Sequence, residues 1–235
     1  MKLVLLPGMD GTGDLFSPLL QMLSGFQWEV IALPNSGAQD YASIIVYVKQ
    51  RLPDEDFILI AESFSGPIGM ALAKSEIKNL KGVIFVATFL STPSKCLVFL
   101  ARCLPLKSLL KLPFSTLFIK ALFLGSDASD ELIHLFKTCL YSLSSALIKA
   151  RLGAMYSLIY HPRDIELPVG YIQAVSDKLV CSGKLNEFRN SFNNIMVKTI
   201  EGPHFILQSK PEQCAAVISE MVPMLTKHSK LVIEN

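Results

Sequence analysis

Apolar runs of strand length alternate along this chain with segments whose apolar residues recur at the helical period, and that alternation limits its fold more than any other feature. A strand buried on both faces reads as an unbroken apolar run, and two parallel strands need a crossover long enough to hold a helix. The runs at 2–6, 28–33, 57–61, 82–87, 169–175 and 195–200 predict a mostly parallel sheet of about six strands. Helices are expected between them at 15–23, 41–52, 65–74, 183–193 and 211–225. The fold class is therefore α/β, with helices on both faces of the sheet.

The alternation breaks once, between residues 91 and 161, where no strand is predicted. Within 130–141, Leu132, Leu135, Phe136, Cys139 and Leu140 share one helical face. Ser129 is placed to cap that helix, with Asp130 and Glu131 favourable in its first turn. An insertion of about 70 residues between two strands has to lie over one end of the sheet. Residues 1–90 and 162–235 are thus expected to form the core, and 91–161 a helical cap rather than an independent domain.

Composition excludes several classes. With 51% apolar and 18% charged residues the chain has material for a sizeable core and is not disordered. Its mean hydropathy of +0.42 raises the question of a membrane. Yet Pro, Lys or Arg interrupts every apolar run before the roughly 20 residues that a spanning helix needs. The apolar start, closed by Pro7, is shorter than the roughly 7 to 15 residues of a secretory signal core. A formal charge of +2 without a basic run argues against a nucleic-acid partner. Cys96, Cys103, Cys139, Cys181 and Cys214 form no C-x-x-C pair and read as buried, reduced thiols of a cytoplasmic protein. Zinc-ligand spacing, a Walker loop and G-x-G-x-x-G are missing, so neither metal nor cofactor is expected.

The chemistry concentrates where strands end. After the third strand comes Ala61-Glu62-Ser63-Phe64-Ser65-Gly66, a serine between a strand and a helix with small residues two positions to either side. Such a turn holds the serine in strained geometry, and bulky neighbours would clash, so the pattern reads as a nucleophile elbow. Ser65 is the rival nucleophile, but it carries Pro67 at plus two and falls inside the helix. The glycine-rich loop at 7–13 follows the first strand. If the second strand winds outward and the third returns beside the first, this loop and the elbow emerge together. The backbone N–H groups of Met9 and Phe64 are then placed to share an oxyanion.

A serine at its ordinary pKa needs a base. His134 lies in the inserted segment, His161 in a turn before Pro162, and His228 in the charged tail; His204 alone follows a strand directly, in the loop before the final helix. Asp177 follows the fifth strand at the same edge and completes the chain order Ser, Asp, His. Asp164 precedes its strand and belongs at the other end of the sheet.

On these residues the chain resembles the α/β-hydrolases of single-domain serine esterase type, through PGMDGTG, AESFSG, VSDKLV and GPHFILQSKPEQC. The resemblance implies attack of Ser63 on an ester carbonyl, an acyl-enzyme, and its hydrolysis by water that His204 activates. Within that family the chain is similar to the pimeloyl-carrier-protein methyl ester esterases of biotin synthesis, by its tail after His204, its size and the placement of its cap. Two departures stand out: the family's first two strands are absent, which leaves the strand at 28–33 as an edge, and Pro7 replaces the histidine common before the oxyanion glycine. Carboxylester hydrolysis is the first reading. Acyl transfer or thioester cleavage on carrier-bound chains is the alternative, and an inactive ligand-binding member of the fold is the other.

Segment 91–161 carries eight cations against three acids, a formal +5 that leaves −3 for the rest of the chain. Solvated faces of amphipathic helices account for this, and so does a positive porch for an acidic acyl carrier protein or an anionic lipid surface. The candidate contacts are Arg102, Lys107, Lys111, Lys149 and Arg151.

Overall fold

The alternating pattern folds into six parallel strands in the computed structural model, which describes residues 1–233 and the side chains of residues 1–227. The strands are β1 (Lys2–Leu6), β2 (Gln27–Val30), β3 (Phe57–Glu62), β4 (Leu80–Val86), β5 (Val169–Ala174) and β6 (Ile195–Ile200), arranged β2-β1-β3-β4-β5-β6. The chain winds outward from β1 to β2 and returns to β3 on the other side of β1. The loops after β1 and β3 therefore leave the sheet side by side, at its carboxyl edge.

Eleven α-helices are described. Those outside the inserted segment are α1 (Ser17–Met22), α2 (Tyr41–Lys49), α3 (Gly66–Lys74), α9 (Leu185–Arg189), α10 (Ile206–Ser209) and α11 (Pro211–Ile233). Inside it are α4 (Lys95–Cys103), α5 (Leu106–Leu109), α6 (Ser115–Ile119), α7 (Asp130–Ser142) and α8 (Ser145–Tyr156), with a π-helical turn over Lys120–Leu124. Side chains alternate across each strand, so the sheet has two apolar faces. Val4, Leu6, Leu59 and Phe85 pack in one cluster with Ile44, Ile68 and Phe188. Leu3, Leu5, Ile60 and Ile84 pack in the other with Leu19, Ile218 and Met221. Ile119, Leu124, Ile133 and Phe136 of the inserted segment form a third cluster around Leu15. Ser129 caps α7, its hydroxyl accepting the Leu132 N–H at 3.2 Å.

One residue of α9 holds the inserted segment at both of its ends. Glu187 of α9 accepts the N–H groups of Leu90 (3.0 Å) and Ser91 (2.9 Å), the Ser91 hydroxyl (2.5 Å) and the Lys184 ammonium (2.8 Å). Its backbone carbonyl accepts the Tyr160 hydroxyl at 2.8 Å. Burial pushes the Glu187 carboxyl up, but its bonds to Lys184, Ser91 and the Leu90 N–H outweigh this and hold it below its ordinary value.

Some boundaries differ from those read in the sequence. Strand β2 ends at Val30, which pairs with Leu5 one residue before β1, its sole partner, ends; the chain then turns so that the Leu33 N–H reaches the Gly11 carbonyl at 2.8 Å. Helix α9 is short because Phe192 leaves it for a bridge with Ile165. Helix α11 runs on through Pro223 rather than stopping at Leu225. As expected, β2 is an edge, kept short and bearing Glu29, which pairs with Lys2 at 2.8 Å. Short, charged strands are poor templates for further pairing. Of the five cysteines, Cys139 and Cys214 are buried, but Cys96, Cys103 and Cys181 are exposed, against expectation. For the first two the reason is local: α4 buries only Val98 and turns its other residues outward. Among the described residues no helix is long and apolar enough to cross a membrane.

Candidate active site

The polypeptide turns sharply at the end of β3. Ser63 has φ 46°, in the left-handed region that costs a non-glycine residue on the order of 1 kcal/mol or more. The carbonyls on either side of the turn are held in place. The Thr88 hydroxyl donates to the Ser63 carbonyl, and the Tyr41 hydroxyl donates to that of Phe64 at 3.1 Å. Burial pushes the Tyr41 phenol well above its ordinary value, so it stays a donor. Gly66 lets α3 start against β4: a Cβ there would lie 2.0 Å from Thr88 Oγ1 and 2.8 Å from the Phe89 carbonyl. Ser65, the rival nucleophile, is fully buried and donates its hydroxyl to the Pro7 carbonyl at 2.5 Å.

From this elbow Ser63 Oγ stands 2.9 Å from His204 Nε2, and His204 Nδ1 stands 2.7 Å from Asp177 Oδ2. The other carboxylate oxygen of Asp177 accepts the N–H groups of Leu179 (2.8 Å) and Val180 (2.9 Å), which fixes the carboxylate in the loop after β5. The His204 and Asp177 side chains are 4% and 5% exposed, whereas Ser63 is only half-buried. The inner contact is thus sealed from water and the hydroxyl end is reachable. His134 and His161 lie exposed, and the His228 side chain falls outside the described residues. Asp164 bonds to Asn193 (2.7 Å) ahead of β5, at the opposite edge.

The loop after β1 is clamped from the inserted segment. Arg151 of α8 is 1% exposed and threads its guanidinium between two loops. Nη1 donates to the carbonyls of Met9 (2.7 Å) and Asp10 (2.8 Å), Nη2 to that of Pro34 (3.0 Å), and Nε to Gln39 Oε1 (3.0 Å). Gly11 (φ 71°) makes room for it, since a Cβ there would sit 2.3 Å from Nη1. Burial lowers the Arg151 pKa and Asp10 partly restores it; a guanidinium stays charged in either case. Arg151 was expected among the surface cations of the cap, and that expectation fails. Leu147, Ile148, Leu152 and Met155, the buried residues of α8, lie on the face that position 151 shares, so the helical period held the signal. Lys107 is also engaged, donating to the carbonyls of Tyr141 (2.9 Å) and Leu143 (2.7 Å) at the end of α7.

Beside the elbow lies a polar group that the sequence reading passed over. Glu62 is 2% exposed, with Oε1 accepting from Gln208 Nε2 at 3.0 Å. Burial pushes its carboxyl up to about 7; the charge of Asp10 adds to this, while Gln208, His204 and the Gly8 N–H oppose it. Two buried oxygens nearby, Asp10 Oδ1 and Gln208 Oε1, have no hydrogen-bond partner within the protein. A charged residue closing the otherwise apolar run 57–61 was the available clue.

A cavity of about 310 Å³ adjoins this edge. Met9 of the β1 loop and Phe205, next to His204, lie in its wall, and Leu15, Phe123, Phe136 and Ile148 continue it into the inserted segment. Its lining is suited to a hydrocarbon chain. Among the described residues no group of three His, Cys, Asp or Glu side chains is placed to hold a metal ion.

No family model matches the chain, and no curated protein matches it in sequence. Solved structures do match it. A lipase-esterase related protein from Clostridium acetobutylicum superposes with a TM-score of 0.72 at 16% identity, covering 93% of each chain. An esterase from Exiguobacterium antarcticum gives 0.76 at 14% identity, over 95% of this chain and 92% of the other. The RedJ thioesterase from the prodiginine biosynthetic pathway in Streptomyces coelicolor gives 0.63 at 17% identity, over 92% and 84%. Together with the parallel sheet and its flanking helices, these likenesses establish the α/β-hydrolase fold.

Two variants test the buried polar groups. Arg151→Met leaves four acceptors without their donor and is expected to lower stability by at least about 3 kcal/mol in urea unfolding. Arg151→Lys should recover only part of this, because an ammonium cannot fork to all four. For Glu62 the folded-state pKa of about 7 lies above the ordinary 4.5. Its stability contribution is therefore complete below about 4.5 and is lost as pH rises through about 7. The difference is on the order of 3 kcal/mol. Glu62→Gln is expected to flatten this slope when the urea midpoint is followed against pH, and an unchanged slope would refute the assignment.

Proposed function

We propose that the protein is a serine hydrolase that cleaves a carboxylic ester of an apolar acyl group. The observation that carries this reading is the unbroken hydrogen-bonded line from Ser63 through His204 to Asp177, starting at a strained serine. Ser63 Oγ attacks the ester carbonyl while its proton passes to His204 Nε2, and Asp177 stabilises the imidazolium that forms. The N–H groups of Met9 and Phe64 take the developing oxyanion. As the tetrahedral centre collapses, the alcohol leaves with the proton from Nε2, and Ser63 remains acylated. Water then gives a proton to His204 Nε2 as it adds to the acyl carbonyl, and collapse of this second tetrahedral centre returns the proton to Ser63 Oγ and releases the acid.

Further support comes from similar folds that bear the names lipase-esterase, esterase and thioesterase. The apolar cavity gives the acyl group a place, with residues 91–161 as a cap over the site. Five cysteines without a disulfide, three of them exposed, favour a reducing, cytoplasmic setting. The finer candidate substrate is a carrier-bound ester such as the pimeloyl carrier-protein methyl ester of biotin synthesis. For an acidic carrier, Arg102, Lys111 and Lys149 remain exposed, whereas Arg151 and Lys107 are engaged inside the protein. The same nucleophile would serve a thioesterase or an acyltransferase. Paired oxygen-ester and thioester substrates, assayed with and without an added alcohol, separate these chemistries.

Ser63→Ala is expected to abolish labelling by a fluorophosphonate and to lower turnover of p-nitrophenyl esters by on the order of a millionfold, with its circular dichroism unchanged. Asp177→Asn should reduce kcat by roughly ten-thousandfold, because the imidazole loses the partner that fixes its tautomer. Labelling undiminished in Ser63→Ala would overturn the assignment of the nucleophile.

A further inference from the structure

Seven of the fourteen large apolar side chains exposed among the described residues fall between positions 97 and 118. Phe114 is 77% exposed, Leu117 70%, Phe118 58% and Leu112 52%, all on or beside the two short helices α5 and α6. Isolated exposed leucines are ordinary, but so dense a group marks a surface that meets an apolar partner. Tight backbone hydrogen bonds, such as Leu112 N–H to the Leu109 carbonyl and Ser115 N–H to that of Leu112, hold these residues on consecutive turns.

Two further observations identify the partner. From residue 91 to 126 the chain has five cations, Lys95, Arg102, Lys107, Lys111 and Lys120, and no acid. Lys95, Arg102 and Lys111 are exposed. Leu112, Phe114 and Phe118 also line the cavity that runs toward Met9 and Phe205, so the exposed patch is the outer lip of that cavity. We infer that this lip docks on a lipid membrane bearing anionic headgroups, with Phe114, Leu117 and Phe118 seated among the acyl chains and Lys111 among the headgroups. A surface that combines phenylalanine and leucine with lysine fits the boundary between headgroup and hydrocarbon, where each group finds its own environment. An acidic carrier protein would satisfy the lysines, but it would need an apolar face of its own to cover Phe114, Leu117 and Phe118. Docking puts the cavity mouth against the hydrocarbon layer, so an acyl chain enters without crossing water. That delivery role rests on the hydrolase reading, whereas the docking itself does not.

Flotation with lipid vesicles tests the inference directly, because binding is read without turnover. The protein is expected to float with vesicles of mixed phosphatidylcholine and phosphatidylglycerol, to remain behind with phosphatidylcholine alone, and to be released by salt. Leu117→Asp should weaken partitioning by about tenfold or more. Lys111→Ala should weaken it by about fivefold. Far-UV circular dichroism of both variants checks that they are folded. Absence of flotation with the anionic vesicles, or an unaltered partition coefficient for folded Leu117→Asp, would overturn the inference. So would binding to an acidic acyl carrier protein, sensitive to Lys111→Ala, in place of vesicle binding. Vesicle binding without hydrolysis of any soluble ester would count against the hydrolase reading alone, and hydrolysis without vesicle binding against the docking alone.

Discussion

The left-handed backbone of Ser63 is the constraint to which the neighbouring structure answers. An L-residue enters that region at a cost, and it stays there only when its surroundings fix the turn from several sides. Here the fixing groups come from three separate elements. Thr88, just after β4, holds the Ser63 carbonyl, Tyr41 of α2 holds that of Phe64, and Ser65 ties the turn to Pro7 at the end of β1. Because β1, β3 and β4 are adjacent in the sheet, the anchors at Pro7 and Thr88 share one rigid base with the elbow. Ala87, the residue before Thr88, is itself at φ 44°, so the strand that supplies the anchor is bent where it meets the elbow. The sheet thus fixes the backbone from which the Ser63 side chain projects.

Arg151 does for the β1 loop what these anchors do for the elbow, but from outside the sheet. Its guanidinium faces three carbonyls and one side-chain amide, with no carboxylate among its hydrogen-bond partners. A buried cation answered by neutral dipoles is held by geometry, and planar forked donors suit diverging carbonyls better than a point charge does. Since α8 belongs to the inserted segment, the loop carrying Met9 is not ordered independently of that segment. The Glu187 contacts add a second tie where the segment leaves and rejoins the sheet. Removal of residues 91–161 would therefore strip the donors from the β1 loop as well as the roof of the cavity.

Much of this was legible in the sequence because burial on both faces of a parallel sheet leaves an unambiguous apolar signature. Strands β1 and β6 begin and end at the residues read from that signature, and Ser63, Asp177 and His204, each read as following a strand, lie within hydrogen-bond reach in the order Ser63, His204, Asp177. Boundaries failed where tertiary contacts decide them: β2 stops where its pairing with β1 ends, and α9 gives Phe192 to a bridge. Arg151 and Lys107 were misread as surface charge because a count of cations carries no direction, although the period of α8 placed Arg151 inward. Glu62 was passed over because the elbow pattern constrains the residues two positions from the serine and not the one beside it. Glu62 and Arg151 are both buried polar groups whose partners lie far away in the chain, so the sequence marks their position and not what they bind.

The site also shows a gradient of exposure with chemical meaning. Asp177 and the imidazole lie in a sealed region where a charge pair is screened little, and the carboxylate's outer oxygen is held by two backbone amides. Ser63, half-buried, stands where that region meets the outside. On the far side of the β1 loop the cavity is lined almost wholly by apolar side chains, from Met9 and Phe205 out to Phe114 and Phe118, with Asp10, Lys107 and Ser115 as its polar members. One strand edge thereby separates a sealed polar region from an apolar cavity, and the inserted segment supplies most of the lining of the latter.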